Sequence, residues 1–209
     1  ASRAIYSTEA VKKLKQLLEV TSIDIAQLNS IHNIQTLSIL PILKERSVPI
    51  VWRVLDYKIL CPNRSFLSNS NICTKCLKGS FFWSSLKRCN KNNFMASTLA
   101  SIESYFIKYK NYYDLVDVFL LQNEFTKNLF IQAGFDEKKL EVIKNPYSLS
   151  DENNSSNSHP GEHNIINAIK NKYILYFGRL SIEKGVHTLI KAMSDIDDID
   201  LVIIGEGPE

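Results

Sequence analysis

Glycine is scarce in this chain, with seven residues in 209 and none among the first 78. Cysteine numbers four and proline six, and no apolar run approaches the roughly 18 residues that a membrane-spanning helix needs. Collagen-like repeats, a disulfide-rich scaffold and a helical membrane span are thereby excluded. An excess of one charge sign is also missing. The 25 Lys plus Arg and 22 Asp plus Glu are interleaved and sum to +3, whereas polyanion binding calls for a clustered basic face, so nucleic acid is not expected as a partner. The opening ASRAIYSTEAVKKLKQLLEV breaks every apolar stretch with charge, so no signal-peptide core is present and a cytoplasmic location is expected. What remains is ordinary globular material, 44% hydrophobic and 22% charged, long enough for one large domain or parts of two.

Hydrophobic spacing alternates between helix and strand. Ala10, Val11, Leu14, Leu17 and Leu18 mark an amphipathic helix over residues 8–20, and IDIAQL (23–28) a short buried strand. A helix over 36–45 and the strand PIVWRVL (49–55) follow. From 56 to 93 the pattern gives way to a polar loop rich in Asn, Ser, Lys and Cys, longer than the roughly 12–15 residues usual for a structureless connection. Leu99, Ile102, Phe106, Tyr109 and Tyr113 then step along a long helix. The strand VDVFLLQ (116–122), a helix over 124–133 stopped by Gly134, and the strand LEVIKN (140–145) complete the first part. DENNSSNSHPGEHN, within the turn-rich residues 147–168, is the expected linker. YILYFG (173–178), a helix over 183–193 and DLVIIGEGPE (200–209) form a βαβ unit. Such alternation predicts α/β architecture with parallel sheets. The chain begins with Ala, ends at Glu209 within a strand-to-helix turn, and is read as a fragment at both ends.

In YFGRLSIEKG (176–185), Arg179 directly follows a strand and Lys184 sits at the opening of the next helix, where backbone amides and two cations suit a diphosphate. The plain alternative is a solvated surface pair. YILYFGRLSIEKGVHTLIKAM with DLVIIGEGPE resembles the donor-domain opening of the family 4 retaining glycosyltransferases. LDYKILCPN, the Cys-rich loop, LLQNEFTKNLFIQAGF and VIKNPYS are similar, in order, to the acceptor-domain half of bacterial members. The resemblance implies a GT-B type fold, two Rossmann-like parallel-sheet domains, both incomplete in this chain. Residues 1–148 would be part of an acceptor domain with the insertion at 56–93, 149–170 a linker, and 171–209 the start of a donor domain. It implies transfer of a sugar from a nucleotide-diphosphate sugar to a hydroxyl of a glycan or lipid-linked acceptor. Configuration would be retained and no metal required, in surface polysaccharide or glycoconjugate synthesis. Gly178, Arg179, Lys184 and Gly205 would line the donor site. The family's paired-Glu motif would lie beyond Glu209, and its glycine-rich acceptor loop before Ala1.

The chain departs from that pattern where relatives read His-Asp-Tyr, with Leu55 before Asp56 and Tyr57, so an imidazole is replaced by an alkyl group. No catalytic residue is assigned. On the acceptor side, His32 is either a contact or a hydrogen-bonded turn histidine, and Asp56 either a sugar ligand or base, or an Asx-turn cap. His159 and His163 fall in the linker. Cys61, Cys73, Cys76 and Cys89 have the spacing of a closed structural zinc site, with Lys75, Lys78, Lys87 and Arg88 favouring thiolates. Two disulfides, a redox Cys-x-x-Cys pair or four free thiols are the rivals. Phe94, Tyr105, Phe106, Tyr109, Tyr112 and Tyr113 with Lys108 and Lys110 read either as core or as peripheral contact with the inner face of a plasma membrane. The alternative to an enzyme is a degenerate relative that binds or scaffolds through a zinc-stapled loop.

Overall fold

The computed structural model describes residues 5–32, 35–69, 71–144 and 172–209, and the chain divides into two compact units, Ala1–Pro146 and Tyr147–Glu209. The expected linker, with His159 and His163, lies outside the described residues.

In the first unit α1, Thr8–Val20, starts where the Ser7 hydroxyl accepts the Ala10 N–H at 3.2 Å. It buries Leu18 and packs Ala10, Val11 and Leu14 while its lysines face solvent. Strand β1 is Ala26–Asn29, later than the expected 23–28 run because Ile23 packs on the core from outside the sheet. The expected helix over 36–45 is divided into a 3-10 turn, Leu37–Ile39, and α2, Leu40–Glu45, which has Pro41 in its first turn. β2 is Ile50–Arg53. Within the expected loop lie the hairpin strands β3 (Leu67–Ser68) and β4 (Asn71–Ile72) and helix α3 (Phe82–Leu86). Helix α4 follows as Phe94–Tyr109, β5 as Val118–Leu121, α5 as Glu124–Gln132 and β6 as Leu140–Val142. The aromatic helix stops short of Tyr113 because Asn111 turns left-handed (φ 51°) and starts a 3-10 turn, Tyr112–Leu115.

The four main strands form a parallel sheet in the order β1-β2-β5-β6. Parallel neighbours need crossovers, and helices supply them. Trp52 pairs across Leu28 and Phe119, and Phe119 pairs across Leu140, so large side chains stack along one row. Trp52, Phe119, Phe130, Leu121 and Ile50 are almost fully buried, each burial contributing about 1.5–3 kcal/mol. At the amino end of β5, Asp117 accepts the Ile50 N–H at 2.7 Å and is held by Lys44 Nζ at 2.6 Å. The carboxyl ends of all four strands are thereby aligned along one edge.

The second unit pairs β7 (Tyr173–Phe177) with β8 (Asp200–Ile204) in parallel. Between them lie a 3-10 turn, Ile182–Lys184, and α6, Val186–Met193. The helix expected from 183 is therefore interrupted at Gly185, whose φ of 71° is costly for other residues.

Candidate functional site

In the second unit, the strand ends continue as paired backbone. Gly178 N–H donates to Ile204 carbonyl and Leu180 N–H to Glu206 carbonyl, both at 3.0 Å. Gly205 has φ 154°, and a Cβ there would collide with the Gly178 carbonyl, so only glycine lets the two turns approach. Arg179 leaves this turn exposed, its carbonyl accepting the Tyr176 hydroxyl at 3.1 Å. Lys184 closes the 3-10 turn directly before α6 and is also exposed. The Glu183 carboxyl is held below its ordinary range, first by the nearby Ser181 hydroxyl and its own backbone, then by the charges of Arg179 and Lys184. The charges of both cations therefore act on the Glu183 carboxylate, in the turn before α6. Neither has an ion-pair partner among the described residues, which leaves their charge available to an anion.

In the first unit, His32 and Asp56 come together at the carboxyl edge, where Ser30, Trp52, Val54, Leu55 and Ile59 complete a recess of about 10 Å³. That space holds no more than one water. His32 is buried, its ring 5.1 Å from Trp52 and its Nε2 3.4 Å from the Tyr113 hydroxyl. Burial, and then the charges of Lys58 and Arg64, bring it down to about 3, so the imidazole is neutral. Asp56 Oδ1 accepts the Lys58 N–H at 2.9 Å, the turn-cap arrangement, and Oδ2 lies 3.6 Å from Arg64 Nη1. Leu55, by contrast, is nearly half exposed. A further shallow recess of about 90 Å³ joins Leu55, Asp56 and Tyr57 to Gln122, Asn123 and Thr126. Asn123 also caps α5, accepting the Thr126 N–H at 2.8 Å.

Residues 161–209 match the model of the family described as glycosyl transferases group 1. Two solved structures are similar in fold. Anabaena Alr3699/HepE in complex with UDP superposes with a TM-score of 0.54 at 16% identity, covering 95% of this chain and 43% of that one. The same protein with UDP-glucose gives 0.53 at 16% identity, covering 94% and 43%. The chain therefore spans less than half the length of the protein it resembles. No curated protein matches the sequence. The likeness carries the fold, α/β of the GT-B type.

The zinc expectation for Cys61, Cys73, Cys76 and Cys89 is corrected. All four are free thiols, and among the described residues no group of three or more His, Cys, Asp or Glu is arranged to hold a metal. At Cys61 and Cys76 the expected thiolates are corrected too, because burial raises the Cys61 thiol and pushes Cys76 up to about 12. Of the expected cations, Lys87 does reach the cluster, its Nζ 3.5 Å from Cys73 Sγ, whereas Lys75 Nζ sits 4.1 Å over the Trp83 ring. Protein groups order the insertion instead. Asn63 accepts from Cys61 Sγ at 3.0 Å and from the Ser65 N–H at 3.1 Å, while its amide reaches the Leu67 and Cys89 carbonyls. The Phe66 ring packs 4.9 Å from Tyr57.

Two features have no signature in the sequence. Lys58, buried, pairs with Glu103 of α4 at 2.8 Å, joining the loop after β2 to a helix 45 residues later. A cavity of about 350 Å³ lies between the insertion, α4 and the amino ends of β5 and β6, with Leu77, Phe81, Ile107, Tyr113 and Phe135 among its walls.

Proposed function

We propose that the chain is part of a glycosyltransferase that moves a sugar from a nucleotide-diphosphate donor to an acceptor hydroxyl. The reading is carried by one coincidence. The residues that match the glycosyl transferase group 1 family are those that hold Arg179 and Lys184 exposed and unpaired beside the close-packed Gly178 and Gly205 turns. Two fixed cations there neutralise a diphosphate leaving group as a bound metal would, so donor cleavage proceeds without a cofactor. UDP and UDP-glucose in the similar structures support a uridine diphosphate sugar as the donor to try first. We assign transfer with retained configuration, in polysaccharide or glycoconjugate synthesis, to a glycan or lipid-linked acceptor. We assign the protein to the cytoplasm. Residues 1–148 serve the acceptor and 171–209 open the donor domain, with 149–170 joining them.

Isothermal titration of UDP-glucose into the protein and into Arg179→Ala/Lys184→Ala tests the assignment. A loss of affinity of at least about tenfold is expected, since charge-assisted contacts to phosphate contribute about 1.5–3 kcal/mol each. Equal affinities would sink it.

A second reading, a non-catalytic binding relative, draws on Leu55, exposed at the sheet edge where the resemblance leads one to expect His, and on His32 and Asp56, both already engaged. Leu55→His separates the two. A working enzyme gains nothing from the imidazole, whereas donor hydrolysis that appears only in the variant favours the second reading.

A further inference from the structure

The cavity of about 350 Å³ in the first unit has apolar walls and a charged rim. Leu77 and Phe81 of the insertion, Ile107 of α4, Phe119 of β5 and Phe135 before β6 contribute apolar wall. Its rings are tilted against one another. Phe119 stands 5.4 Å from Phe135 at 89°, and Tyr113 stands 6.1 Å from Phe135 at 50°. Such a set offers both ring faces and ring edges, which is how a further aromatic ring packs best. The volume is at the lower end of those that take small organic ligands.

At the rim, Lys78, Lys108 and Lys139 stand with Asp114 and Asp136, an excess of cations over carboxylates. Two of these groups are committed. Lys139 Nζ donates to the Asp114 and Val116 carbonyls at 2.8 and 2.9 Å, and Asp136 Oδ1 accepts the Lys138 N–H at 3.0 Å. Lys78 and Lys108 are exposed, and among the described residues neither ammonium has an ion-pair or hydrogen-bond partner. Gly79, the first glycine of the chain, has φ 84°, and a Cβ there would collide with the Lys108 ammonium. That ammonium therefore lies against the backbone directly after Lys78.

We propose that this cavity binds a small aromatic anion, its rings among Phe81, Phe119 and Phe135 and its acid group at Lys108 and Lys78. The walls favour rings over a sugar, whose hydroxyls they leave without partners. The rim favours an anion over a neutral arene, since charge there is complemented only by the opposite sign. The site is distinct from the sheet-edge recess, because His32, Leu55 and Asp56 do not line it. The two adjoin at Ile59, a wall of both, and through Tyr113, a cavity wall whose hydroxyl lies 3.4 Å from His32 Nε2. An occupant therefore touches residues that shape the recess without entering it. The inference rests on this cavity alone and stands whichever reaction the chain serves.

Titration with 8-anilinonaphthalene-1-sulfonate, an aromatic anion, followed by fluorescence and calorimetry, tests it. A saturable site is expected, weakening as salt is raised. Lys78→Gln/Lys108→Gln, two exposed positions whose loss should leave the unfolding midpoint unchanged, should lower affinity at least about fivefold. Leu77→Trp, which fills the cavity from its wall, should lower it at least about tenfold. Lys12→Gln/Lys13→Gln, which removes two charges from α1, should stay within about twofold of the wild type. Absence of a saturable site overturns the proposal. So does affinity unchanged in both cavity variants, which would assign the dye to the exposed Leu175 and Phe177 of β7. Dodecanoate that displaces the dye with equal or higher affinity would overturn the aromatic assignment.

Discussion

In the first unit Ile50 and Trp52 of β2 are 0 and 2% exposed, whereas in the second Leu175 and Phe177 of β7 are 47 and 79% exposed. Both sheets are parallel and both strands are rich in large apolar residues, so strand character is not what differs. Cover is. Around β2 and β5, side chains from α2 and α5 such as Leu40, Leu43 and Phe130 close the sheet, while among the described residues of the second unit Val186 is the one buried apolar side chain. Polar groups follow the same division. His32, Lys58 and Glu103 lie in the first unit with partners, because a buried polar group without one is costly. Arg179 and Lys184 lie on an open edge where water satisfies them, and they are free to be claimed by a ligand.

Substitutions can break this contrast. Phe130→Ala should destabilise the first unit by about 3–5 kcal/mol, read by denaturant unfolding followed through Trp52 and Trp83, both in that unit. Val186→Ala should leave the same transition within about 0.5 kcal/mol. A matching shift would show that the units unfold as one. Next in size, Lys58→Met should cost about 3 kcal/mol by stranding the Glu103 charge, and Lys58→Met/Glu103→Leu should recover most of it. If the double variant is no better than the single, the pair is not the seat of the effect.

Acid sharpens the contrast further. His32 is pulled down to about 3 in the folded state against 6.5 unfolded, so the unfolded chain takes up the proton first. Stability from this group is complete above pH 6.5 and is lost as pH falls toward 3, by roughly 2 kcal/mol at pH 5. His32→Gln should flatten the pH dependence of the first unit between those limits, and an unchanged slope would count against a buried neutral imidazole. Asp117 is the smaller case. Burial pulls its carboxyl up, but the Lys44 and Ile50 hydrogen bonds prevail and hold it below the ordinary value. Its contribution is therefore present above the unfolded pKa of about 3.9 and lost below it. Asp117→Asn should cost under about 1 kcal/mol at pH 7, because the Lys44 pair is half open to solvent. The smallest expected change is from Arg179→Ala/Lys184→Ala, within about 0.5 kcal/mol of wild-type stability. A large loss would mean that these cations hold the unit together.

Much of the fold is legible in the residues. PIVWRVL and VDVFLLQ are strands where their apolar runs place them, and Gly134 ends α5 with φ 93° and its N–H 3.0 Å from the Ile131 carbonyl. Local spacing suffices there because a strand in a covered parallel sheet must be apolar throughout. The α4 stripe misleads, since Leu99, Ile102 and Tyr109 have core spacing yet face outward, and serines face in. Periodicity identifies a helix without saying which of its faces is covered. The cysteine spacing misleads for a related reason: it shows that four thiols can meet, and not whether Asn63 and the Phe66 ring order the loop without a metal.

The sequence by itself determined the alternation of helix and strand, the glycines that permit close approach at Gly205 and the break at Gly185, and the pairing of Arg179 with Lys184 across one turn. These are consequences of local sterics and spacing, which a few neighbouring residues settle. Only the tertiary structure decided that His32 is buried against Trp52, that Lys58 meets Glu103, that burial raises the Cys61 and Cys76 thiols, and that α4 turns its serines inward. Those outcomes depend on which distant segments exclude water from a side chain, and that exclusion sets both its partners and its charge.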